Sequence, residues 1–146
     1  MNWRYDSGLV ASNPNLDTFQ DAMGFLDGDQ QAAIGLFCGS NVATISTPLT
    51  PATCAGQSKV GATRIAFPAP GTFNVDHNPT RVTPRNLVDA ALGDVDIFHG
   101  DHYKWSLRLT VINLTNKTAL YNFLSTFSGS HFVTPRAYSA ELGFHF

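Results

Sequence analysis

The sequence has little charge and does not gather it into a patch. Charged residues make up 14% of its 146 positions, against roughly 25% in average soluble domains. The formal net charge at pH 7 is −2, and lysine and arginine form no run. Because such a chain offers nothing to neutralise a phosphate backbone, we expect no nucleic-acid partner.

The sequence also lacks a long apolar run. Its longest uncharged stretch, 30–58, is broken by Pro48, Pro51 and many Ser, Thr and Asn residues, whereas a membrane helix needs roughly 20 predominantly apolar residues. The first residues do not lead into the apolar core of a signal peptide either. We therefore expect a cytoplasmic chain, or a piece of a longer protein in which Met1 is internal or a misassigned start. The strand patterns favour the second possibility, a piece of a longer protein.

Patterns typical of catalysis or metal binding are scarce. The histidines accompany no nucleophile motif such as Gly-x-Ser-x-Gly, so we expect no enzyme and no cofactor. Carboxylates and imidazoles are dense in 94–102, but their spacing matches no calcium loop, and a polar turn between strands explains them more simply. The cysteines form no Cys-x-x-Cys pair, which disfavours a zinc site.

The two cysteines lie in a long region rich in Asn, Pro, Gly, Thr and Ser, which runs from residue 12 to 80. In an oxidising compartment Cys38 and Cys54 form a disulfide more readily than they remain thiols, so we predict a bridge. We interpret 12–80 as a long extracellular loop with one short helix over 29–37, capped by Asp29. A loop of this length argues against a simple soluble fold.

Alternation of apolar and polar residues is what the chain does contain. It predicts strands at 1–11, 85–98, 103–115 and 134–146, with a tight turn at 99–101. One face of the third strand carries Tyr103, Trp105, Leu107, Leu109, Val111 and Asn113. The last strand repeats this arrangement with Tyr138, Ala140, Leu142, Phe144 and Phe146 on one face. Glu141 is expected on the opposite face, toward a barrel lumen.

Such alternation fits both a soluble β-sandwich and a membrane barrel. Aromatic residues at the strand ends favour the barrel, because amphipathic rings collect at the headgroup level of a bilayer. These residues are Phe98, Tyr103, Trp105, Tyr138, Phe144 and Phe146. The predicted fold class is all-β, with antiparallel strands of a transmembrane outer-membrane β-barrel that is incomplete at about four strands.

A longer pattern resembles a known family. Residues 113–123 read Asn-Leu-Thr-Asn-Lys-Thr-Ala-Leu-Tyr-Asn-Phe, and Thr-Pro-Arg at 134–136 precedes an alternation that runs to Phe146. This is similar to the end of TonB-dependent outer-membrane receptors. The residues that carry the motif are Asn113, Asn116, Pro135 and Arg136. The segments 5–8, 68–72 and 84–87 also resemble the Oar-like receptors, which carry a carboxypeptidase-regulatory-like domain.

The resemblance implies an importer in the bacterial outer membrane, built from a barrel with an internal plug. Outer-membrane lipid and the barrel-assembly machinery are the implied partners, and the TonB complex would be reached only through an N-terminal region missing from this sequence. Leu142, Phe144 and Phe146 would form the barrel-assembly signal. The alternatives are a barrel that anchors a surface or adhesin-type protein, and a soluble β-sandwich binding module.

Overall fold

The structure is a computed structural model, and it describes residues 1–11, 16–98, 102–126 and 128–145. The elements follow one another in this order: β1 (Asn2–Asp6), α1 (Phe19–Phe25), α2 (Gly28–Ile34), β2 (Leu36–Cys38), β3 (Asn41–Val42), β4 (Val60–Ala62), β5 (Ile65–Ala66), β6 (Arg81–Val82), β7 (Arg85–Asp94), β8 (Lys104–Ile112), β9 (Leu120–Ser125), β10 (Gly129–Phe132) and β11 (Ala137–His145).

The chain forms two compact units. The sheet unit comprises Met1–Asp6, Arg85–Thr118 and Val133–Phe146, and the core unit comprises Ser7–Pro84 and Ala119–Phe132. Every strand pair in the described residues is antiparallel, and helices contribute little. The chain is therefore mainly antiparallel β-structure, which agrees with the all-β class predicted from the sequence.

In the sheet unit, four strands pair in the order β1-β7-β8-β11, which is also their order along the chain. Asp6 pairs with Arg85, and Ile112 pairs with Ala137. The chain therefore leaves this sheet at the same end after β1 and after β8. The connection from β7 to β8 lies at the opposite end, so the four strands run alternately up and down.

Each of these four strands lies within its predicted range but is shorter. β8 ends at Ile112 because Asn113 has a φ of 51°, which the extended strand does not allow. β7 ends at Asp94, whose Oδ1 accepts a hydrogen bond of 2.9 Å from the Asp96 N–H and starts a turn. β11 begins after Pro135, which has no N–H to donate to a ladder. The predicted turn at 99–101 and Phe146 lie outside the described residues.

The range 12–80, predicted to be a long extracellular loop with one short helix, contains more regular structure than that prediction. Its described part folds into α1, α2 and β2 to β5. These elements surround a buried apolar cluster: Ala11, Leu16, Phe19, Ala22, Leu26, Ile34, Leu36, Cys38, Ala43, Leu49, Ile65, Val82, Leu120 and Phe123. Composition suggests less structure because the apolar residues are scattered among Gly, Pro and Thr, yet they are numerous enough here to bury one another.

The predicted helix exists, but its position needs correction. Asp27, not Asp29, is the N-cap of α2: its side chain accepts a hydrogen bond of 3.2 Å from the Gln30 N–H. The Gln30 side chain accepts one of 3.2 Å in return from the Asp27 N–H, which completes a capping box. The helix ends at Ile34 instead of Phe37, because Gly35 adopts the left-handed conformation of a C-cap.

The segment between β8 and β11, expected to be a loop, contains the β9–β10 hairpin. Leu120 and Phe123 on β9 are fully buried and belong to the apolar cluster of the core unit. The burial of individual residues cannot be predicted from a strand as short as Leu120–Ser125, which has only six residues. The core unit is thus assembled from two separate parts of the chain.

Candidate functional site: a sheet with two different faces

One face of the four-stranded sheet is apolar. Residues paired across an antiparallel ladder point to the same side of the sheet. Phe144 pairs with Trp105 and Leu142 with Leu107. The apolar residues that the registers place on this face are Trp3, Tyr5, Val88, Ala90, Leu92, Trp105, Leu107, Leu109, Val111, Tyr138, Ala140, Leu142 and Phe144. Asn86 and Asp94 of β7 share the face.

Aromatic residues mark both ends of the apolar face, and aliphatic residues lie between them. Trp3, Tyr5 and Tyr138 lie toward the end where the chain leaves for the core unit. At the other end Phe144 packs against Tyr103 and Trp105, with ring centroids 5.6 and 4.8 Å apart. The registers therefore gather the aromatic residues, which are distant in sequence, into two groups.

The apolar face is exposed. Leu92 is 77% exposed, Leu142 66% and Tyr138 70%. Soluble proteins rarely expose a contiguous apolar patch of more than a few hundred Å², and larger ones mark contact with a membrane or with another protein. The described part of this face thus presents large apolar side chains to the solvent.

The opposite face is polar and carries ion pairs between strands. Arg4 Nη2 lies 2.9 Å from Asp89 Oδ2, and Arg85, whose side chain is 2% exposed, pairs with Asp6. Asp89 also accepts a hydrogen bond of 2.9 Å from the Asn113 N–H. These contacts fix the register of β1 on β7 and tie β7 to the end of β8. Their signal in the sequence is the alternation of charge along 2–6 and 85–89.

The motif residues of the predicted family lie together at the end of β8 and the start of β11. Asn113 is buried, and its Nδ2 donates 3.0 Å hydrogen bonds to the carbonyl oxygens of Lys117 and Thr134. Asn116 Oδ1 accepts a 3.1 Å bond from the Arg136 N–H. Both asparagines have positive φ, of 51° and 50°. This geometry explains why asparagine, which tolerates the left-handed region, recurs here.

Two of the three residues proposed as an assembly signal, Leu142 and Phe144, lie on the apolar face of β11. Both are exposed. The third, Phe146, lies outside the described residues. Glu141 lies on the polar face, opposite Arg108, which is the side the alternation assigns to it.

The two cysteines are joined in the core unit by a disulfide between Cys38 and Cys54, with the Cα atoms 5.6 Å apart. Cys38 is fully buried in β2 and belongs to the apolar cluster, and Cys54 packs against it. The bridge fastens β2 to the segment that follows Pro51.

The described residues contain no group of three or more His, Cys, Asp or Glu side chains arranged to hold a metal ion. Of the acidic and imidazole residues at 94–102, His99 and Asp101 lie outside the described residues. None of the helices in these described residues has the length and apolar character to cross a bilayer.

Sequence reasoning misses one feature of the polar face. Gly93 and Gly143 lie on the strands that flank β8, opposite Arg108 and Ser106. Glycine inside a strand is a detectable signal, because it weakens the strand and often marks a close approach.

No known family matches the chain, and no curated protein or solved structure shows significant similarity to it.

Proposed function

We propose that the chain forms part of the β-barrel of a TonB-dependent transporter of the bacterial outer membrane, to which it contributes membrane-spanning strands and outer parts. The observation that carries the proposal is the two-faced sheet. An exposed apolar face with aromatic residues at both ends is what a barrel presents to lipid. The motif at Asn113, Asn116, Pro135 and Arg136 supports the particular family.

The strand lengths and the topology support the membrane part of the proposal. β7 has ten residues, and β8 and β11 have nine each, where a tilted membrane strand needs roughly 9 to 11. The four strands stand in the sheet in the same order as along the chain, as in up-and-down barrels, although other elements lie between β1 and β7 and between β8 and β11. The smallest membrane barrels have about 8 strands, so we expect the remaining strands to come from polypeptide beyond this sequence.

The polar face would then line the lumen. Arg4, Asp89 and Glu141 would meet water there, which lowers the cost of placing charges at the depth of a bilayer. Lipid around the barrel and the barrel-assembly machinery are the partners that this role requires. In a soluble β-sandwich the apolar face would instead pack against a second sheet, and the exposure of Leu92 and Leu142 disfavours that alternative.

Tryptophan fluorescence tests the proposal directly. The sequence has two tryptophans, and both Trp3 and Trp105 lie on the apolar face. After the chain is refolded into phosphatidylcholine vesicles, lipids brominated on their acyl chains should quench both. Trp3→Phe and Trp105→Phe separate the two signals. The membrane role would be overturned if both tryptophans emitted as they do in water, without quenching, and the chain stayed monomeric without detergent.

The transport role has its own test. The stretch of genome directly upstream of Met1 should encode a plug domain and a TonB-contacting segment, because active uptake through such a barrel requires both. An adhesin-type module in that place would overturn transport and leave the barrel as an anchor.

A further inference from the structure

Two opposite charges lie side by side on the polar face of the sheet. Arg108 on β8 pairs directly with Glu141 on β11, and Gly93 on β7 pairs with Arg108 from the other side. Both charged side chains are exposed. Among the ion pairs of the described residues, none involves Arg108 or Glu141. Each charged group therefore remains available to a solute.

Glycines flank this pair on both sides. A Cβ at Gly93 would lie 2.9 Å from the Leu107 carbonyl oxygen and 3.4 Å from Arg108 Cβ, and one at Gly143 would collide with Ser106 Oγ. At both positions the neighbouring strand β8 therefore comes too close to leave room for a Cβ. Neither glycine has a positive φ, so the backbone conformation does not explain them. The close approach of Leu107 O and Ser106 Oγ accounts for glycine at these two positions.

A groove of about 440 Å³ lies beside these residues. Its polar-face lining includes Gly93, Ser106, Arg108, Glu141 and Gly143. Small-molecule sites commonly measure roughly 300 to 1,000 Å³. The groove thus combines the size of a ligand site with a cation, an anion and a hydroxyl.

We propose that this groove is a subsite for a small zwitterionic solute, of the class of free amino acids and short peptides. The Arg108 guanidinium would hold the solute's carboxylate through two N–H donors. The Glu141 carboxylate would accept hydrogen bonds from its ammonium group, and the Ser106 hydroxyl, one cross-strand pair along the groove, would bond an amide of a short peptide. The inference rests on the proposed function, because it names a solute class for the lumen-facing side.

The test uses the full chain, ¹⁵N-labelled and refolded in detergent micelles, with glycylglycine as the probe. Addition of the dipeptide should shift the amide signals of Gly93 and Gly143. N-acetylglycylglycine lacks the ammonium group, and glycylglycinamide lacks the carboxylate. Each should bind about tenfold more weakly or worse, because each loses one charged hydrogen-bonded contact. Equal affinity for the three compounds, or shifts confined to other residues, would overturn the subsite.

Two variants test which group of the solute each charged side chain binds. Arg108→Gln should bind glycylglycine and glycylglycinamide equally, and Glu141→Gln should bind glycylglycine and the acetylated compound equally. Lys104→Gln, on the same strand and face, should behave like the parent. An Arg108→Gln chain that still prefers the free carboxylate would refute the assignment, and the solute series on the unaltered chain decides the case if a variant fails to fold. Lipid quenching of tryptophan without dipeptide binding rejects the subsite alone, whereas absence of quenching rejects the proposed function.

Discussion

The core unit and the sheet unit place their apolar residues in opposite ways. In the core unit Ile34, Leu36 and Phe123 are 0% exposed, whereas in the sheet unit Leu92 is 77% and Leu142 66% exposed. Burial of apolar surface is the main force that folds a chain in water. The core unit therefore supplies its own apolar environment, whereas the sheet unit leaves large apolar side chains exposed. The proposed membrane role accounts for the exposed apolar residues of the sheet unit.

The two units also differ in what holds their backbone. The core unit has helices of seven residues and strands of two or three in its 16–82 part, which gain little from their own ladders. Side chains compensate: buried Gln31 donates from Nε2 to Leu26 O at 3.1 Å and accepts at Oε1 from the Leu49 N–H at 2.8 Å. The sheet unit relies instead on long ladders and on ion pairs between strands.

The largest loss of stability should come from removing a buried side chain of the core unit. Phe123→Ala removes a fully buried ring and should cost about 3 to 5 kcal/mol of stability. Hydrogen exchange should show the loss in the amides of 16–82 and 119–132. Leu142→Ala in the same detergent should stay within about 0.5 kcal/mol of the parent, because an exposed side chain makes few protein contacts. Comparable losses for the two variants would abolish the distinction between the units.

Charge on the two faces of β8 should have unequal effects in a bilayer. Leu109→Lys places an ammonium group on the apolar face and should cost about 2 to 4 kcal/mol in a complete barrel if the position lies near the midplane. Thr110→Lys, one residue later on the polar face, should cost far less. Denaturant unfolding from vesicles measures both. Equal costs would mean that the faces have been assigned the wrong way or that neither meets lipid.

Loss of the disulfide should weaken the core unit and spare the sheet unit. The bridge spans 16 residues, and closing a loop of that size stabilises a fold by about 3 kcal/mol. The double variant Cys38→Ala/Cys54→Ala should therefore lose protection from hydrogen exchange in the core unit, while the amides of β7, β8 and β11 keep theirs. In the parent, thiol labelling without reductant should modify neither cysteine. Labelling of both would contradict the bridge.

The sheet unit is predictable from sequence because its information is local and repeated. In a strand of nine or ten residues the alternation assigns each side chain to a face, as it does for Leu109 and Thr110. The pairing of Phe144 with Trp105 is not given by the alternation, because a shift of two residues would keep every side chain on the same face. What alternation cannot supply is the solute groove, since that depends on which residues of three strands come into register.

The core unit is not predictable in the same way because its elements are shorter than the period that would identify them. Asp27 and Asp29 both resemble an N-cap, and the choice between them depends on Gln30, which completes a capping box only with Asp27. Thr18, the N-cap of α1, accepts from the Asp21 N–H at 3.3 Å, and this short signal lies within a region that looks like a loop. Burial of Phe123 beside residues some ninety positions earlier has no local signal.

The smallest loss of stability should come from a change in the turn after β8, and it should be the same in detergent and in vesicles. Asn113→Ala removes the two Nδ2 bonds and the 2.9 Å bond that Oδ1 accepts from the Lys117 N–H, and it leaves alanine at a φ of 51°. We expect a cost of about 2 kcal/mol from lost hydrogen bonds and left-handed strain together. Asn113→Gly loses the same hydrogen bonds but adds no left-handed strain, so it should cost less. Because the turn is held by the protein's own groups, the cost should be the same in detergent and in vesicles, unlike that of Leu109→Lys. Exchange of the Lys117 amide reports on the turn directly, and an Asn113→Ala cost that appears in vesicles alone would show that lipid, not the asparagine, orders the end of β8.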